Sequence, residues 1–110
     1  MSWDIYLTFE KCNHCNKTQD SIEVRNLTYN NSKILTRLNV HPDKIKGMSG
    51  PVLIECLTKA ISLSYEIEIE NELKLLEPSN EWGGLDDSRN FLFKLLDKAR
   101  ANPDGQVSVY

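Results

Sequence analysis

The sequence predicts an α+β domain in which a small antiparallel sheet packs against about three helices. Residues 3–10 alternate apolar and polar side chains with period two, the signature of a half-buried strand. Residues 88–99 repeat their apolar side chains at i, i+3, i+4, i+7, i+8 and i+11, the signature of an amphipathic helix. A chain of 110 residues has room for one core and not for two, so residues 1–110 are read as a single domain.

In the first strand, Trp3–Glu10, the side chains of Trp3, Ile5, Leu7 and Phe9 share one face. The polar stretch from Lys11 to Asp20 is a loop. A second strand, Ser21–Thr28, sets Ile22 and Val24 on one face and then shifts phase to Leu27 and Tyr29, as a bulge near Arg25-Asn26 would require. An antiparallel hairpin is the simplest pairing.

A helix over 31–39 turns Ile34, Leu35 and Leu38 inward, and His41-Pro42 closes it, because a residue before proline avoids the helical region. Asn30 or Asn31 is expected to cap its start, since a short amide oxygen can accept from the unpaired amides there. Ile45 and Met48 read as plugs from the connecting loop. Ser49 is expected to cap the next helix, over 50–67, with Pro51 in its first turn. Leu53, Leu57, Ala60, Ile61 and Ser64 then form one face, while Cys56 reads as a small core residue.

Between Leu63 and Glu70 the alternation alone would suit a strand. We read it as helical, with a break near Glu68 to Asn71, because residues 72–77 resume a helical turn. Pro78 ends that turn, and 78–84 form a loop with two glycines. The last helix, 86–101, carries Asp86 and Asp87 at its positive end and Lys94, Lys98 and Arg100 toward its negative end. Asn102-Pro103-Asp104-Gly105 turns the chain into a third strand, Gln106–Tyr110, added to the hairpin.

Composition excludes some classes of function. Hydrophobic content of 40%, charged content of 26% and a formal net charge of −3 describe an ordinary globule and give no bulk attraction for nucleic acid. Charge is unevenly spread: six basic and three acidic residues lie between Lys17 and Lys46, against two basic and nine acidic between Glu55 and Asp87. No apolar run reaches the roughly 18 residues of a spanning helix. The first residues lack the order of a signal peptide, so an intracellular protein with reduced cysteines is expected.

Cys12 and Cys15 have metal-ligand spacing, but they supply only half of a tetrahedral zinc site. We therefore expect no bound cofactor. The alternative is a zinc completed by His14, His41, Cys56 or a second chain. Two histidines and no apparent Ser–His–Asp or Cys–His pairing leave catalysis without a visible constellation. Candidate binding residues are polar or aromatic side chains of two loops: Asn26, Thr28, Tyr29 and Asn30 in the first, Asn80 and Trp82 in the second. Local hydrogen bonding and packing would explain the same residues.

The motifs Trp3-Asp4-Ile5-Tyr6-Leu7-Thr8, Asn26-Leu27-Thr28-Tyr29-Asn30, Gly47-Met48-Ser49-Gly50, Pro78-Ser79-Asn80-Glu81-Trp82-Gly83 and Asn102-Pro103-Asp104-Gly105 follow one another in this order. Taken together the chain resembles a family of small proteins of unassigned function encoded in bacteriophages and prophages. The resemblance implies a phage or prophage origin and the host cytoplasm, and it brings no catalytic residues. The expectation is a non-enzymatic accessory protein that binds a host or phage macromolecule and modulates host defence. The contrasting expectation is a small-molecule binder or enzyme with a polar pocket built from the 26–31 and 80–84 loops.

Overall fold

A computed structural model describes residues 1–9, 20–78 and 83–110. Three strands, β1 (Ser2–Phe9), β2 (Asp20–Thr28) and β3 (Gln106–Val109), form one antiparallel sheet in the order β2-β1-β3. Among the described residues five α-helices accompany it: α1 (Ser32–Arg37), α2 (Pro42–Ile45), α3 (Gly50–Ser64), α4 (Ile67–Leu75) and α5 (Leu85–Ala101). The fold is α+β, as the two periodicities predict.

Trp3, Ile5 and Leu7 alternate inward along β1 and meet Val24, Leu27 and Val107 of the neighbouring strands. Onto this face come Leu53 and Leu57 of α3 with Phe91, Leu92 and Leu95 of α5, all fully buried. The opposite face of the sheet carries Asp4, Tyr6 and Thr8, with Tyr110 set edge-on to Tyr6 at 5.7 Å between ring centroids. Tyr110 lies just past β3, yet it still exchanges two backbone hydrogen bonds with Asp4, at 2.8 and 3.0 Å.

The bulge falls one position earlier than expected. Ile5 pairs with Arg25 and Tyr6 with Glu23, so Val24 is the extra residue. It lets Val24 and Leu27 point the same way although they are three apart. Tyr29 donates its backbone N–H to Met1, which puts Tyr29, Leu27 and Arg25 toward β1 and Asn26 and Thr28 toward the outer edge. There the Arg25 and Asn31 side chains donate to the carbonyls of Asn26 and Thr28, occupying acceptors that another strand would need.

Three expectations about the helices are corrected. First, α3 stops at Ser64 and the break falls at Tyr65-Glu66, not near Glu68 to Asn71. The cause is Arg89 of α5, whose guanidinium lies 3.9 Å over the Tyr65 ring and donates to both the carbonyl and the hydroxyl of Ser64. That contact fixes the end of α3 from outside the segment. Second, residues 42–45, read as loop, make the short helix α2, with Ile45 buried and His41 at its N-cap. Third, Ser49 occupies the N-cap position of α3 but makes no side-chain capping bond there; its backbone bridges to Gln106 instead. Cys56 is half-buried at the rim of the core rather than inside it.

Candidate functional site

The chain leaves β2 through Thr28, whose hydroxyl accepts from the amide of Asn30 at 3.4 Å and starts a single 3-10 turn, Tyr29–Asn31. Ser32 then opens α1 with its amide already bonded to the Tyr29 carbonyl. Asn31 therefore stands at the N-cap of α1 without capping it, contrary to expectation. Its side chain is fully buried and turned the other way.

The Asn31 carboxamide joins this turn to the start of α5. Its Oδ1 accepts from the Gly84 amide at 2.9 Å and from Ser88 Oγ at 2.8 Å. Its Nδ2 donates to Asp87 Oδ2 at 2.7 Å and to the Thr28 carbonyl at 3.4 Å. Two acceptances and two donations use the full capacity of the group. Asp87 Oδ1 in turn accepts from Arg25 at 2.9 Å, and Arg25 reaches Asn90 Oδ1 at 3.0 Å. Gly83 packs so closely here that a Cβ would lie 3.1 Å from both Asn31 Oδ1 and Thr28 Cγ2.

Of the second expected loop, the described residues Gly83 and Gly84 meet the turn after β2 through Asn31. The individual candidates behave differently. Asn26 is exposed and engaged across the ladder, its Nδ2 donating to Asp4 Oδ1 at 2.8 Å and to Ser2 Oγ at 2.9 Å. Thr28 serves the turn. Tyr29 is 39% exposed, with its ring 4.3 Å from that of Trp3. Asn80 and Trp82 lie outside the described residues, as do Cys12, His14 and Cys15.

Beside the turn runs an open groove of about 630 Å³. Tyr29, Asn30, Ser32 and Lys33 form one wall, and Leu75, Leu76, Glu77 and Pro78 form the other. It unites two candidates with the end of α4, a segment sequence reasoning did not connect to them. The missed signal was Leu75, an aliphatic residue on the outer side of a helix turn and 86% exposed.

The fold also assembles a serine, a histidine and an aspartate that their spacing did not bring together. Ser32 Oγ lies 3.2 Å from His41 Nε2, and Asp43 Oδ2 lies 3.7 Å from His41 Nδ1. The protonation pattern is the reverse of a nucleophile's. The Asp43 backbone N–H donates to Nδ1 at 3.1 Å, so the neutral ring carries its proton on Nε2 and donates it to Ser32. A base that activates a serine must accept that serine's proton instead. This arrangement caps α2 and supports Trp3, whose ring meets the His41 ring edge-on at 5.1 Å.

Burial pushes the Cys56 thiol up, against a smaller opposing pull from Lys44 and Lys59, which leaves it a poor nucleophile. Among the described residues no group of three or more histidine, cysteine, aspartate or glutamate side chains could hold a metal ion. No helix among them is long and apolar enough to cross a membrane. The chain matches no family model, no curated protein and no solved structure.

Proposed function

We propose that this is a binding protein without catalytic activity, an accessory protein of a bacteriophage or prophage that engages a host or phage macromolecule and thereby modulates host defence. The groove between Tyr29–Lys33 and Leu75–Pro78 is its recognition surface. One observation carries the reading: an aromatic ring and a leucine, both solvent-exposed, flank an open groove beside a turn held rigid by the buried Asn31. Large exposed apolar side chains on a fixed support are what a partner can cover, and aromatic anchors contribute heavily to such contacts. The phage origin and the host-cell location rest on the resemblance of the motifs alone.

A small-molecule pocket is the weaker reading, because the groove is only partly enclosed and ligand pockets surround most of what they bind. Affinity capture from extracts of phage-infected bacteria tests the proposal. The wild-type protein should retain a specific macromolecule that a Tyr29→Ser, Leu75→Ser variant of equal melting temperature does not. Identical material on both would refute the assignment of the groove.

A further inference from the structure

Helix α4 is fastened to the protein along one side only. Leu73 is fully buried, and Ile69 and Leu76 are half-buried beside it. At 3.6 residues per turn the opposite side presents Ile67, Asn71 and Leu75, at i, i+4 and i+8. Ile67 is 79% exposed and Leu75 86% exposed, and they stand about 12 Å apart along the axis. Leu75 also belongs to the groove wall, so the ridge continues the groove.

The charges sort in a definite way. Arg37 of α1 takes Glu72 at 2.8 Å, and Arg89 of α5 takes Glu70 at 2.6 Å, with Lys74 3.6 Å from Glu70 on the same helix. Each acid that faces the body of the protein is thereby neutralised. Glu66 and Glu68, at the exposed start of α4, have no ion pair among the described residues, and neither does Glu77 in the groove wall. The outward surface is thus two aliphatic side chains with the unpaired carboxylates of Glu66 and Glu68 at its start and Lys74, held by Glu70, beside it.

We infer that this ridge docks a basic amphipathic helix of a partner protein, an inference that rests on the binding reading above and names the partner's chemistry. The partner's apolar stripe lies over Ile67 and Leu75, and its lysines or arginines face Glu66 and Glu68. Ile67 and Leu75 are two helical turns apart, so a single partner helix laid along α4 can meet both with apolar side chains about two turns apart on its own stripe. The acids accelerate encounter and select sign, while the aliphatic contacts set the lifetime.

The probe is a synthetic 18-residue helix of leucine and lysine arranged with the 3.6 period, compared with a scrambled order and with a glutamate-for-lysine version. Titration into the full chain should show saturable one-to-one binding of the first peptide only, weakened at least tenfold by Ile67→Ser or Leu75→Ser. Glu66→Gln with Glu68→Gln should reduce its salt dependence. These substitutions are at exposed positions, and unchanged melting temperatures confirm that the variants are folded. Equal binding by wild type and Ile67→Ser would overturn the inference, as would binding of the acidic peptide or the absence of any binding. Loss with Tyr29→Ser but not with Ile67→Ser would overturn it too, while leaving the groove itself intact as the recognition surface.

Discussion

Asn31 donates from its side-chain amide to Asp87 Oδ2 at 2.7 Å, joining a turn and a helix that are 56 positions apart in sequence. Asn31 is fully buried at one end of this part-buried bond, which holds one wall of the groove against α5. Removing it is the first prediction. Asn31→Ala leaves the Gly84 amide and the buried Ser88 hydroxyl without their Asn31 partner, and each buried orphan costs about 1–3 kcal/mol. Denaturant unfolding should show a loss of about 2 kcal/mol or more. A change below about 0.5 kcal/mol, the size of an ordinary surface substitution, would mean the network is not needed.

Gly83 gives a second prediction from the same contact. Its φ of 87° is one that side-chain-bearing residues rarely adopt, and a Cβ there would press on Asn31 and Thr28 at 3.1 Å. Gly83→Ala should cost about 1–3 kcal/mol. It should also raise the exchange rate of the Gly84 amide, which Asn31 protects. A variant as stable and as well protected as the wild type would contradict the close packing.

The strands and the faces of α3 and α5 were legible because each rests on a periodicity carried by its own residues. Ile5, Leu57 and Leu95 are buried where the pattern puts them. What was hidden depends on side chains far away in sequence. Arg89 decides where α3 ends, 25 positions earlier at Ser64. Asn31 looked like a cap because local rules describe its backbone position, but its amide is claimed by Gly84, Asp87 and Ser88. At the site, Tyr29 and Asn30 were singled out on composition and do line the groove. Its second wall was missed, since nothing local marks Leu75 and Pro78 as neighbours of residue 29.

The third prediction concerns the core. Leu95 is fully buried mid-way along α5, and truncating such a leucine costs about 2–5 kcal/mol. Leu95→Ala should lower the melting temperature by about 10 °C or more, a large effect for a domain of this size. An unchanged melting point would show that the core face of α5 is misplaced.

Acid should loosen α4. The hydrogen bond from Arg89 holds Glu70 below the usual glutamate range, and the one from Arg37 does the same for Glu72, each against a smaller opposing effect of burial. A carboxyl whose folded pKa is depressed contributes stability that is complete above its unfolded value of about 4.3. That contribution is lost as pH falls through the folded value. Both groups are near the surface, so the effect is modest and weakens with salt. Urea midpoints measured downward from pH 6 should fall, and a Glu70→Gln, Glu72→Gln variant should show a flatter acid limb. Parallel profiles for the two proteins would rule out these pairs as contributors.

The groove beside Asn31 is proposed as the place where a macromolecule binds. Calorimetric titration of the captured partner into wild-type protein and into the Tyr29→Ser, Leu75→Ser variant tests it most directly. Binding should be at least tenfold weaker for the variant, with its melting temperature unchanged. Equal affinity for the two proteins would contradict it.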